Sequence, residues 1–304
     1  MGSSGVKYSA RLDIALTEDS SIEDCVFDSF VWNGSGGGIF VRGSFKLTVS
    51  GCRFSRCVAG VNGGGLSVET EISHTFRNYF CLCDCYHWGS ALYQNSKSEN
   101  VFEFGSFLLC SVKSSEYDCF SAFMQMTGTS NMRFVNGSYL SSIARESAHH
   151  HGSGQQSFTS FVTLSSCSGP YIFSFHNNLS PAQVQENVCT TNSSATKSIA
   201  VIFNGKHMGK NFILCEPVTL ISRYSGFFGS ITFQNSFFGC SSTNLAWITT
   251  EDCVFNCGQD ILNARFRDQS MCFMKGSIPF SWMNIEIKVA PMTVYPFSLL
   301  IITR

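Results

Sequence analysis

A phenylalanine and a glycine cluster recur together through the first third of the chain at a fixed separation. Phe27 leads to Gly36-Gly37-Gly38-Ile39, Phe54 to Gly63-Gly64-Gly65-Leu66, and Phe80 to Gly89-Ser90-Ala91-Leu92. Ile39, Leu66 and Leu92 each stand 12 residues after their Phe, and Phe107 opens a fourth unit, so the steps are 27, 26 and 27 residues. A fixed period of this size marks a stacked solenoid, in which one unit cannot bury its apolar face without its neighbours.

Each early unit holds three short strand-like runs: residues 39–41, 45–49 and 52–54 in the first complete one, then 66–68, 74–76 and 79–80, then 92–93, 101–104 and 107. Phe45, Leu47 and Val49 alternate with Lys46 and Thr48, which places the first three on one face. Runs this short make no stable hairpin alone. Three per period, joined by glycine or polar corners, describe an all-β fold: a single-stranded right-handed parallel β-helix. The glycines occupy the corners, where φ > 0 and close backbone approach are needed. A phosphate cradle is rejected, because a strand follows each cluster instead of a helix and no Lys ends it. The expected organisation is one β-helix domain over 1–304. Regular coils span about 20–125, a decorated irregular middle about 126–215, and later coils about 216–304. Within the middle, 114–118 reads as an enlarged loop, 145–157 as an exposed loop and 181–188 as a short helical turn. The repeat returns late: residues 251–255 copy Glu23-Asp24-Cys25-Val26-Phe27 letter for letter, and the step from Phe237 to Phe255 is only 18.

The chain of 304 residues is 44% hydrophobic and 13% charged, with a net charge of −1. Disorder requires the opposite balance. The near-zero charge leaves no field to gather nucleic acid, so no nucleic-acid partner is expected. No apolar segment resembling a secretory leader opens the chain, and no apolar run reaches the length of a membrane-crossing helix. The apolar end at 296–304 stops abruptly, and the two ends read as those of a fragment of a longer protein. Of 15 cysteines, Cys57, Cys83 and Cys110 each follow a repeat Phe by three, and Cys25 and Cys52 each precede one by two. Stacking turns such positions into ladders about 4.8 Å per rung, read first as small buried apolar side chains and second as rungs that an oxidising compartment could bridge.

Other constellations are weaker. Cys81, Cys83, Cys85 and His87 alternate, so on one strand they share a face at about 7 Å per step, too far apart for a single zinc ion. Cys253 and Cys257 are equally ambiguous. His149, His150 and His151 are assigned to a solvated loop. Glu69 and Glu71, with Glu99 and Glu103 one coil on, are the nearest approach to the carboxylate pair of glycosidic acid/base catalysis. They too are read as solvated charges. No catalytic residue, cofactor or metal is assigned. Asn33, Asn136, Asn178 and Asn192 fit the N-glycosylation pattern, all four in expected loops.

The pairing of Phe27-x-x-Phe30, Phe54-x-x-Cys57 and Phe80-x-x-Cys83 with the following glycine–aliphatic clusters resembles the repeats of polymorphic membrane proteins, which are surface β-helices. The likeness covers about 20–125, with an echo at 237–257. Cys or Phe replaces the usual Asn, which is closer to a Cys-rich protist type. The resemblance implies a pectin-lyase-like solenoid, an extracellular or cell-surface location, and adhesion to a host or cell-surface protein or glycan. It supplies no catalytic residue. The expected function is therefore a non-enzymatic surface or secreted β-helix, with a polysaccharide lyase or glycoside hydrolase as the alternative.

Overall fold

Strands too short to pair with their chain neighbours find partners one coil away, and every strand pairing among the described residues is parallel. The computed structural model describes residues 2–257 apart from 5, 113–121, 144–145, 152–156, 176–182, 203, 215–220, 224–228 and 241–246. The expectations for 114–118, for 296–304 and for Asn178 lie outside the described residues. The described chain is a parallel β-helix with three walls and no helix. A glycine wall of nine described strands runs from Leu12–Leu16 through Ile39–Gly43, Leu66–Glu69 and Leu92–Asn95 to Ile221–Arg223. A long wall runs from Gly2–Ser4 through Ser20–Glu23, Lys46–Ser50 and Ile72–Phe76 to Ile248–Glu251. A third wall has seven described strands of two residues each, from Val31–Trp32 to Ser194–Ala195.

The repeat phenylalanines form a column. Ring centroids are 5.1 Å apart for Phe27–Phe54, 4.8 Å for Phe54–Phe80 and 5.0 Å for Phe80–Phe107, with planes within 10°. Tyr8 opens it, 4.9 Å from Phe27. Ile39, Leu66 and Leu92 are register partners on the glycine wall, all buried. The same rungs explain why Phe and Gly travel together. A Cβ on Gly65 would sit 2.8 Å from the Phe80 ring, and one on Gly38 would sit 3.0 Å from Phe54. Gly63 holds φ 63°, and a Cβ on Gly64 would run into the Ser90 and Asp84 carbonyls of the next coil. Gly64→Ala is therefore expected to cost about 1–3 kcal/mol by overpacking against rigid backbone, read as a lowered urea midpoint at unchanged m-value. A midpoint within error of wild type would contradict this rung spacing.

Two corners per coil are turned by one left-handed residue each. At the first stand Asp24, Gly51, Arg77, Phe104, Phe134, Phe161, Asn187, Asn211, Asn235 and Asp252; at the second Ser29, Arg56, Leu82, Leu109, Tyr139, Ser166 and Asn192, all with positive φ. Asn235 Nδ2 donates to Asn211 Oδ1 at 2.7 Å, and Asn211 Nδ2 donates to Asn187 Oδ1 at 3.1 Å, a short amide ladder along the first corner.

Several expectations need correction. The second and third runs of each unit belong to one wall, since Lys46–Ser50 and Arg53–Ser55 both lie in the long wall. The third wall is instead built by Val58–Ala59, Asp84–Cys85 and their equivalents, each placed by the left-handed residue before it. Phe45 precedes its strand and is 38% exposed, so it does not share the buried face of Leu47 and Val49. The run containing His149, His150 and His151 is strand Glu146–His151, not a loop, because Phe123↔His149 continues the glycine-wall register. Residues 183–188 are not helical but open strand Gln183–Thr191, drawn into the long wall by pairing with Phe158–Ser165. Between about 126 and 215 the described residues keep the rung register through strands Thr129–Ser138, Ser157–Ser165, Gln183–Thr191 and Gly205–Lys210. The pattern fades there because the Phe column passes to Gly137, Leu164, Thr190 and Leu214 before Phe238 restores it. At Gly137 the vacated space is filled by Leu140 and Leu164, which would lie 2.8 and 2.9 Å from a Cβ there. The short late step is a short coil: Phe255 packs on Phe238 at 5.0 Å, with Phe237 bridged to Val254.

Candidate functional site

The solenoid brings residues from successive coils onto shared outward rows, so any site must be built across rungs. Glu69 and Glu71 flank the corner at Thr70, whose own side chain turns inward to donate to the Ile72 carbonyl at 3.0 Å. Outward side chains diverge on a convex corner. Glu69 ends a glycine-wall strand, in register with Arg42, while Glu71 accepts from the Ser98 hydroxyl of the next coil. Glu69 also adds to the burial that pushes the Tyr93 phenol up to about 12. Glu99 instead pairs with His74: Nε2 and Oε2 are 2.9 Å apart, with side chains 29% and 36% exposed. Glu103 lies farther along the same strand, opposite Phe76 and Arg133. The four carboxylates are thus dispersed rather than gathered at one point. What the long wall assembles is a His74–Glu99 pair with Glu71 bonded to the residue beside it. An imidazole and carboxylate at this distance can pass or orient a proton.

The cysteines go inward. Cys57, Cys83 and Cys110 are fully buried on consecutive rungs, and Cys25 and Cys52 form a second short ladder. Among the 12 described cysteines none is joined in a disulfide. Burial pushes the Cys52 thiol up to about 12. Cys57 is raised well above the thiol range by its hydrogen bond with the Cys83 thiol and by burial, and Cys83 is raised by burial. Cys81, Cys83 and Cys85 do not share a face. Leu82, at φ 54°, turns a corner between the first two, leaving Cys81 beside Tyr79 and near Arg53 and Arg56. Cys257 packs with Cys189 and Ile213, apart from Cys253, which rests on the main core. Among the described residues no three His, Cys, Asp or Glu side chains gather closely enough to hold a metal ion.

A buried polar network escaped the sequence reading. Asn100 accepts from the Ser96 amide at 3.0 Å and donates to the Met126 and Thr127 carbonyls. Ser73 donates to Asn100, Gln94 to Ser73, and Gln125 to Gln94 at 3.0 Å. Asn78 donates to the Val49 carbonyl and accepts from the Cys52 amide, both at 2.9 Å. Asn78 and Asn100 bond backbone groups at strand ends and corners, and all of these side chains are shut off from solvent. The signal for them was the placement of Ser, Asn and Gln at positions equivalent to Leu47, Cys52 and Val68 in neighbouring units.

Of the glycosylation candidates, Asn33 is exposed in the bend after strand Val31–Trp32 and Asn192 is exposed at a left-handed corner. Asn136 is not in a loop. It lies half-buried within strand Thr129–Ser138, held there by pairing on both sides. Among the described residues no helix is long and apolar enough to cross a membrane. No family model, curated protein or solved structure matches the chain.

Proposed function

We propose that this chain is a non-enzymatic surface or secreted β-helix serving adhesion or a structural, interaction role, of the kind seen in polymorphic membrane proteins. The observation that carries the reading is the division of labour in each coil. Phe, Gly, Leu and Cys positions are consumed by stacking, while the outward rows of the long wall vary freely from rung to rung. Such a wall offers extended, mutable contact area for a protein or glycan partner. Exposed Asn33 and Asn192 would accept glycans in the same setting. The test is binding of the purified chain to intact cells and to a glycan array, with heat-unfolded chain as control. Saturable binding lost on unfolding supports the reading; binding equal to the unfolded control on every surface sinks it.

A polysaccharide-cleaving role is the second reading, favoured by the His74–Glu99 pair beside Glu71. Turnover of acidic and neutral glycans that falls at least about 100-fold in Glu99→Gln would replace the first reading with this one.

A further inference from the structure

The first corner of the long wall is occupied, at four successive rungs, by residues poorly suited to it. Arg77, Phe104, Phe134 and Phe161 hold φ between 54° and 56°, whereas the rungs on either side use Gly or Asn, which accept that backbone readily. The Phe104, Phe134 and Phe161 rings stack along the corner with centroids 4.7 and 5.0 Å apart and planes within 8°. Their faces are largely turned on one another, so the stack offers edges, which suits other rings better than a sugar. The adjoining row reads, rung by rung, Glu23, Ser50, Phe76, Glu103, Arg133, Ser160, Glu186, Lys210, exposed or half-buried at every rung except Ser160, which is buried. Phe76, Arg77 and Arg133 on this face are exposed. Past its first two strands the glycine wall, by contrast, has outward positions Ser67, Tyr93, Met124 and Val201 as deeply buried as their inward neighbours.

Reversed about the point between Glu103 and Arg133, the row complements itself. Glu103 meets Arg133, Glu23 meets Lys210 and Ser50 meets Glu186, while Phe76 lies over the rung whose Ser160 is buried and brings no charge against it. At the corner Phe104 meets Phe134, and Arg77 meets the Phe161 edge. No like charges meet. We propose that this face is a contact between two copies of the chain. They pack with solenoid axes antiparallel, and the two-fold axis lies along the strand direction between Glu99–Leu108 and Thr129–Ser138. Such an isologous contact closes at two. Eight rungs by three outward rows give roughly 500 Å² per copy from the strand and side-chain spacings. A standard interface takes about 800 Å² per partner, so the association is weak and reversible.

Sedimentation velocity of the full chain, from low concentration up to about 100 µM in low salt, tests this. Wild type is expected to show a concentration-dependent monomer–dimer equilibrium that weakens at high salt. Glu103→Arg and Arg133→Glu are each expected to weaken it about tenfold, and the double exchange to restore it to within about threefold. Phe104→Asn with Phe134→Asn removes the rings while supplying residues the corner backbone prefers, so the fold should keep or raise its melting temperature while dimerisation is lost. Wild type that stays monomeric throughout overturns the proposal. So does a double exchange no more dimeric than the single variants, or an Asn variant that dimerises as wild type does.

Discussion

Phe54→Asp is expected to abolish the cooperative fold. The Phe54 side chain is fully buried, its ring held between Phe27 at 5.1 Å and Phe80 at 4.8 Å with Gly38 above it. Deleting such a ring costs about 3–5 kcal/mol by itself. An Asp adds a carboxyl with no partner, which costs at least about 1–3 kcal/mol even when it takes up a proton. That total rivals the whole stability of an ordinary domain, about 5–15 kcal/mol. A solenoid compounds the loss, because each rung is stabilised by the two it touches. Far-UV circular dichroism with urea titration is the measurement. Wild type should give a sharp transition and Phe54→Asp none, while Phe54→Ala should keep a transition lowered by about 3–5 kcal/mol. Val31→Asp is the control: that side chain is 73% exposed, and the change should fall within about 0.5 kcal/mol of wild type. Equal tolerance at Phe54 and Val31 would contradict the column.

The second large effect is alkaline unfolding driven by thiols. Cys52, Cys57, Cys81 and Cys83 all have their pKa raised in the folded chain, Cys52 to about 12 from an ordinary 9.0. A raised folded pKa means that the unfolded state releases the proton first. The stability tied to these thiols is therefore fully present below pH 9 and is lost as pH rises toward the folded values. Each thiol removes about 1.4 kcal/mol per pH unit across its window. Acting together they should exhaust an ordinary stability between about pH 10 and pH 11. Urea midpoints measured in reductant from pH 8 to pH 11 should fall steeply above pH 9. Cys57→Ala with Cys83→Ala should flatten the slope by about half, even though its starting stability is lower. A wild-type midpoint that holds level to pH 11, or a variant slope equal to wild type, would show that these thiols do not titrate with unfolding.

The column and the glycine corners were legible because a single physical constraint repeats at a fixed distance. Phe80 lies beneath Gly65 and Phe54 beneath Gly38, so a change at one position is felt at the other. The third wall was not legible. Strands of two residues such as Asp84–Cys85 carry no periodicity, and the left-handed residues that aim them are Arg56, Leu82, Leu109 and Tyr139, types that give no hint of that backbone. The candidate site was half legible. Glu71 and Glu99 were singled out as acidic residues, but His74 was not joined to Glu99, since that pairing depends on how residues 25 apart fall after a coil is closed. The strand Glu146–His151 was missed for a related reason: its sequence shows no regular apolar alternation, and its place is fixed by backbone pairing with the rungs on either side.

The sequence by itself determined that coils stack, how long the early ones are, and which Phe, Gly, Leu and Cys positions meet. These follow from local sterics and from the need of each apolar row to be covered by its own equivalent. Only the tertiary structure decided where corners fall in the middle coils, which polar side chains go inside to satisfy them, and which charges end up side by side on the long wall. Those depend on the summed length of each coil, and a single added or missing residue shifts every outward row without altering the local pattern that a sequence displays.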